Sequence, residues 1–386
     1  MDFRVPCPPT AVSHSLVKPP RYRSLDILRG ICALTIFLNH WHLWSNLNPR
    51  PGFESGVHEI LDFIYDAFIA LTWPTGGQHP ALICFFVLSG FCVHGGFERR
   101  MGTRENKIDW RRYFVRRFRR IMPVYWVGGV LGLILVGAMT WRPVFDTYLA
   151  LHSQSSASQV FARIAGLNGL WLEEVFVGNA TLNTVGIEII IYMAYPLFYF
   201  AADRGRWVLL GLIAGGFFLL PLILQPYVNP YVLFGGILVA SLFWYFGALA
   251  AHLWQIRNVR VRTWWLIVLW AVFLVLNGSG HFFGQSMLKQ LIWSLICAGL
   301  ILRLLAWEKS RPSIHLRAGP RVFRWFGTIS YSLYAVHTPL ILLVNWSLLA
   351  FTINRSYFGQ LTLNLLVPML VAVAVHYAVE RRFYKF

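Results

Sequence analysis

Charge is scarce in this sequence. Of its 386 residues only 13% are Asp, Glu, Lys or Arg, about half the 25% that a soluble globular domain carries. The length would otherwise suggest two or three soluble domains. No hydrophilic block is large enough to form one, so lipid is the solvent the composition fits. Acidic charge is scarcer still, with 16 Asp and Glu against 34 Lys and Arg and a formal net charge of +18. Cysteine is rare and poorly spaced: Cys7, Cys32, Cys84, Cys92 and Cys297 form no C-x-x-C pair, and four of them sit in apolar runs. That argues against a disulfide framework and a zinc site. A Gly-rich phosphate loop, an H-E-x-x-H helix and a D-x-D cluster are all missing. The first residues are rich in Pro and hold no apolar segment of the signal-peptide kind. Residues 1–20 therefore read as a flexible cytoplasmic lead-in to a single integral-membrane domain over 21–386.

What the sequence has in abundance is apolar and aromatic surface: 57% hydrophobic, with 17 Trp and 16 Tyr, as expected of a protein with aromatic belts at two membrane interfaces. Runs long enough to cross about 30 Å of hydrocarbon lie near 26–46, 80–97, 121–140, 184–201, 207–225, 231–253, 263–278, 288–306, 325–351 and 361–381. The positive-inside rule tests this set. With the N-terminus in the cytoplasm, 29 of the 34 Lys and Arg fall in inside segments, and one missed helix would invert everything downstream of it. The expected fold is an all-α membrane protein of about ten transmembrane helices with both termini cytoplasmic, multi-pass in a bacterial inner membrane. The basic excess is then topological, and nucleic acid is not an expected partner. The two longest outer loops, near 47–79 and 141–183, read as lids over a membrane cavity, the first with an amphipathic or re-entrant helix.

Ionisable side chains at membrane depth are costly and default to function. Arg29 falls at the cytoplasmic edge of the first span, and His40 follows eleven residues later. At about 1.5 Å per residue that is roughly 16 Å deeper and close to three turns away, so both side chains share one face. Taken singly, Arg29 is also a snorkelling anchor and His40 a packed histidine bonded to a carbonyl; the pairing favours function. His42 reads as structural. His337, thirteen residues past Arg324, sits at comparable depth on another helix, either as an acceptor-site contact or as a hydrogen-bonded packing residue. Pro339 follows it and can free backbone carbonyls. Glu188, in the outer half of the fourth span, needs a partner or a water-filled cavity. Ser89 in FFVLSGF lacks the strained G-x-S-x-G elbow of an activated serine, so packing is its simpler reading. The segment RRYFVRRFRRIMPVYW exceeds what topology needs. Arg111, Arg112, Arg116, Arg117, Arg119 and Arg120 suit phosphate oxygens, of a cytoplasmic donor or of anionic lipid.

These segments, in order, resemble the acyltransferase-3 family of integral-membrane acyltransferases along the whole chain. SLDILRGICALTIFLNH is similar to its opening signature, FFVLSGF and RRFRRIMPVYW to its second and third, ISYSLYAVHTPL and HYAVERRF to its closing elements. LNTVGIEIIIYMAYPL departs, with Asn183 and Ile189 where the family commonly has Trp and a second Glu, while Glu188, Tyr192 and Pro196 stand. The resemblance implies ten core helices and transfer of an acyl group, usually acetyl, from a co-substrate such as acetyl-CoA or another acyl-CoA, with no permanently bound cofactor and no metal. The acceptor it implies is a sugar hydroxyl on a surface or secreted glycan or glycolipid. The expected site has His40 and Glu188 as catalytic residues, and Arg29, Asp26, Arg116, Arg117, Arg120, Ser89, Tyr192 and His337 around donor and acceptor. Self-association is left open. The rival reading is a transporter or flippase with midplane histidines as a proton relay, and a scaffold role comes third.

Overall fold

The computed structural model describes residues 22–45, 55–74, 77–98, 108–143, 157–167, 178–224, 235–278, 285–311, 318–351 and 357–384; the lead-in expected over 1–20 lies outside them. Among the described residues the fold is all helical. In chain order the helices are α1 (Arg23–Ser45), α2 (Ser55–Thr72), α3 (Pro80–Gly95), α4 (Trp110–Trp141), α5 (Ala157–Ile164), α6 (Thr181–Asp203) and α7 (Trp207–Leu224). They continue with α8 (Gly235–Arg257), α9 (Thr263–Gly278), α10 (Gln285–Ser310), α11 (Ala318–Ala350) and α12 (Tyr357–Val375), a π-helical turn (His376–Glu380) and α13 (Arg381–Tyr384). Among the described residues, each of the ten apolar runs has most of its length on these helices. Six of them, α4, α6, α8, α10, α11 and α12 with its continuation, are long and apolar enough to cross a membrane, which marks a multi-pass membrane protein. α3, α7 and α9 are shorter apolar helices. α1 is long enough, but Asp26, Arg29, Asn39, His40 and His42 hold down its mean hydropathy.

Two helix pairs lie backbone against backbone. α1 packs most extensively on α11, and the reason is a pair of glycines. A Cβ on Gly30 would come within 1.9 Å of the Phe323 carbonyl, and one on Gly327 within 2.0 Å of the Asp26 carbonyl. α3 and α8 repeat the device: a Cβ on Gly90 would come within 2.0 Å of the Trp244 carbonyl and one on Gly247 within 1.9 Å of the Val87 carbonyl. Small residues at such crossings gain van der Waals contact where lipid offers no hydrophobic drive between helices. The N-terminus of α1 is tied down as well. Glu308, near the end of α10, accepts from the Arg23 and Ser24 amides, both at 3.0 Å, and from Ser24 Oγ at 2.6 Å, satisfying donors a helix start leaves open.

Two prolines break helices where other helices supply the missing bonds. Pro339 in α11 has no N–H to give the Ala335 carbonyl four residues back. Asn179, just before α6, donates to that carbonyl at 2.8 Å and to the Gly128 carbonyl at 3.0 Å. Pro196 in α6 likewise frees the Tyr192 carbonyl, which accepts from Tyr113 Oη of α4 at 3.2 Å. The freed carbonyls expected at Pro339 thus become joints that fix α4, α6 and α11 together beside the histidine of α11.

Gly30→Ala and Gly247→Ala are each expected to destabilise the fold by about 1–3 kcal/mol, the cost of overpacking a filled contact. Gly137→Ala and Gly215→Ala, where an added Cβ meets nothing within 4 Å, should leave stability unchanged or slightly raised. Thermal unfolding midpoints in a common detergent check the contrast, and equal midpoints for the two classes would contradict the packing account.

Candidate active site

The α1–α11 contact brings together two histidines that are 297 positions apart in the chain. His40 Nδ1 lies 2.7 Å from His337 Nε2. The rings are nearly coplanar, at 14°, with centroids 5.0 Å apart. That separation is too long for face stacking and suits an in-plane hydrogen bond between two imidazoles. The proton positions follow from the next bond along. His337 Nδ1 is 2.8 Å from the Leu333 carbonyl, which can only accept, so Nδ1 carries the hydrogen and Nε2 of the neutral ring is an acceptor. His40 must then donate from Nδ1. Its Nε2 is left with a lone pair, oriented by a chain that ends on backbone. His337 is fully buried, with Phe37 packed edge-on against it.

His40 lines a cavity of about 530 Å³ together with Trp73, Gln78, His79, Thr181, Asn183 and Gln290. A second cavity, of about 600 Å³, opens among Asp26, Arg29, Arg120, His376, Glu380 and Arg381, at the end of the bundle where α1 and α11 begin. A narrow third cavity of about 110 Å³ lies between them. It shares Arg29, Cys92, Arg120, Ser330 and Tyr331 with the arginine-rich cavity, and Leu82, Phe86, Thr184 and Tyr334 with the histidine cavity. Shared lining sets the three end to end, the narrow one a waist between the two wide ones.

The waist is where Ser89, Glu188 and Tyr192 meet. Ser89 Oγ donates to Glu188 Oε1 at 2.8 Å and lies 2.8 Å from Tyr192 Oη; Tyr192 donates to the same carboxylate oxygen. Tyr192 lies four residues after Glu188, one turn along α6, so the pairing is local. Glu188, expected as a catalytic residue, bonds Ser89 and Tyr192, and the partner that orients His40 is His337. Ser89 is a polar wall of the passage as well as the neighbour of a packing glycine.

The basic residues divide. Arg29 pairs with Asp26 at 3.1 Å and reaches Cys92 Sγ at 3.6 Å. Arg117 lies over the Tyr192 ring, its Cζ 4.9 Å from the centroid, and 5.5 Å from that of Tyr113, as cation–π contacts require. Arg29, Arg117 and Arg120 all line the waist, whereas Arg116 is exposed and lines none of the three cavities. His42 is 3.2 Å from Asp62 of α2 and tilts over Tyr65. With Asn39 Nδ2 donating to Tyr65 Oη at 3.0 Å, it fastens α2 to α1, in keeping with a structural role. Among the described residues no group of three or more His, Cys, Asp or Glu is placed to hold a metal ion.

Sequence reasoning did not single out His79, which lines the cavity of His40. The signal for it was slight, a Gln-His-Pro step before an apolar run, with Pro80 suited to a first helical turn.

Comparison with known proteins bears on what this passage serves. A curated relative, YrhL of Bacillus subtilis (strain 168), provisionally named a peptidoglycan O-acetyltransferase, is 22% identical over 349 residues, an alignment covering 80% of this chain and 51% of the relative. The chain thus spans about half the length of that relative. No solved structure matches. The family profile described as an acyltransferase domain matches residues 22–378, from the start of α1 into the π turn, and by that extent the chain belongs to the acyltransferase-3 family.

Proposed function

We propose that the protein is a membrane O-acyltransferase that takes an acyl group, acetyl in the simplest case, from acyl-CoA in the cytoplasm and passes it to a sugar hydroxyl on the other side of a bacterial inner membrane. The passage with its waist, running from arginines to the lone pair of His40, carries this reading. In it the ten apolar helices span the bilayer, both chain ends are cytoplasmic, and the wide basic cavity faces the cytoplasm. Phosphates of the CoA moiety sit against Arg29, Arg117 and Arg120, where guanidinium groups match phosphate oxygens. A 110 Å³ waist suits a thin, flexible arm, which threads past Ser89 and Tyr192 and presents its thioester beside His40. The acceptor hydroxyl enters the 530 Å³ cavity, whose aromatic and amide lining suits a sugar. A peptidoglycan acceptor, as the relative's name suggests for that protein, is one such glycan. A flippase would need a sugar to traverse the waist, and the narrowness there favours the enzyme.

The chemistry needs a base and a leaving-group acid, and one imidazole supplies both. The acceptor hydroxyl gives its proton to His40 Nε2 as its oxygen bonds to the thioester carbonyl carbon. The carbonyl electron pair moves onto oxygen, then returns as the C–S bond breaks, and the CoA sulfur takes the proton from His40. While His40 holds that proton, His337 Nε2 accepts from its Nδ1 and keeps the ring in place.

In proteoliposomes with labelled acetyl-CoA, His40→Ala is expected to lower the rate of CoA release by about 10²–10⁴-fold while the protein remains folded. Undiminished turnover would sink the mechanism. Arg120→Ala should act on donor affinity, raising the acyl-CoA KM roughly 10- to 100-fold, the loss of a charge-assisted bond worth about 1.5–3 kcal/mol, with little change in kcat. Ser89→Phe tests the threading: it should stop transfer although CoA itself still binds, and normal turnover would mean that the arm does not run through the waist.

A further inference from the structure

His79 is placed as an amphipathic donor with nothing to donate to. It is the N-cap of α3, and its Nδ1 accepts the Ala81 amide at 3.1 Å. An accepting Nδ1 carries no proton, so the neutral ring bears its hydrogen on Nε2. That Nε2 is buried and, among the described residues, has no hydrogen-bond partner. Its neighbours do not supply one. Trp73 packs edge-on against the ring at 4.6 Å, Phe68 lies tilted at 6.0 Å, and the Trp73 indole N–H is taken by the Gly77 carbonyl at 3.2 Å. A buried donor left without an acceptor costs about 1–3 kcal/mol, and such groups in a folded protein call for an explanation. The ring lines the same cavity as His40.

We propose that His79 is a further catalytic residue, whose Nε2–H donates to the acyl carbonyl oxygen and holds it as negative charge develops there. This rests on the acyl-CoA reading above. The hydroxyl oxygen attacks carbon, the carbonyl pair becomes the oxyanion that accepts from His79, and His40 takes the hydroxyl proton. When the C–S bond breaks the carbonyl re-forms, and His79 has neither gained nor lost a proton. His40 and His79 thus hold complementary tautomers across one cavity. The first turns a lone pair on Nε2 to the acceptor, the second an N–H on Nε2 to the acyl oxygen. The fixed cap bond of His79 and the fixed His337 bond of His40 set these roles in advance of binding, which is how such groups act without reorganising at the moment of reaction.

His79→Asn separates the two bonds of this ring, because an Asn side chain still caps α3 and has no group that reaches where Nε2 stood. The infrared carbonyl stretch of bound, carbonyl-labelled acetyl-CoA is read in the wild type and in this variant. A band at lower wavenumber in the wild type, moving up in His79→Asn, together with a fall in CoA release of about 10²–10³-fold at unchanged donor KM, is the expected result. The same band position in both proteins would overturn the role of His79 while leaving donor binding intact. No bound carbonyl band in either would remove the acyl-CoA reading itself, and the inference with it.

Discussion

The contact between α1 and α11 decides everything that follows. Two glycines let the helices approach until backbone meets backbone, and the crossing they make sets how far along each helix the partners fall. Gly30 is ten residues before His40 and Gly327 ten residues before His337, so the same offset runs up both helices from one point of contact. At about 1.5 Å per residue both imidazoles stand roughly 15 Å above that point. The hydrogen bond between them is thus a consequence of close packing at the other end of the bundle. Interior contacts of this kind tolerate little adjustment, and a methyl group at the crossing would be felt at the rings.

The rest of the site is fixed by prolines and by the bonds that repair them. Asn179 and Tyr113 donate to carbonyls that Pro339 and Pro196 release, and each repair links a helix carrying a site residue to a neighbour. His337 and Tyr192 are held on segments pinned from outside their own helix. Irregular backbone at membrane depth survives only where protein satisfies it. Here the satisfaction also orients the groups that line the passage.

Much of this was legible in the sequence, and the parts that were not have identifiable causes. Helices stand at the apolar runs among the described residues, and six of them are long and apolar enough to cross a membrane, because the hydrocarbon thickness writes itself into run length. Arg29 and His40 stand on a single helix, so their spacing could be read along the chain. The partnership of His40 with His337 could not, because it depends on the register of two helices far apart in the chain. Ser89 looks like a packing residue because Gly90 is one. Neighbouring helix positions point about 100° apart, so Gly90 can face Trp244 while Ser89 faces the waist. Glu188 reads in the sequence as a carboxylate in need of a partner, and which partners it meets, Ser89 and Tyr192, depends on how α3 and α6 pack. His79 stands outside any apolar run, and its open N–H follows from a cap bond that composition does not announce.

On the proposed reading, a passage that joins the two sides of a bilayer is also a hazard to the cell that keeps it. Moving one elementary charge across 100 mV releases about 2.3 kcal/mol, so a continuous thread of water would discharge the gradient on which the cell runs. The waist answers this. Ser89, Glu188 and Tyr192 spend their hydrogen bonds on one another across its wall, and Tyr331 is bonded to the Ile121 carbonyl at 2.8 Å. On that reading the constriction that admits a slender arm is an insulator between turnovers, walled by polar groups bonded to one another.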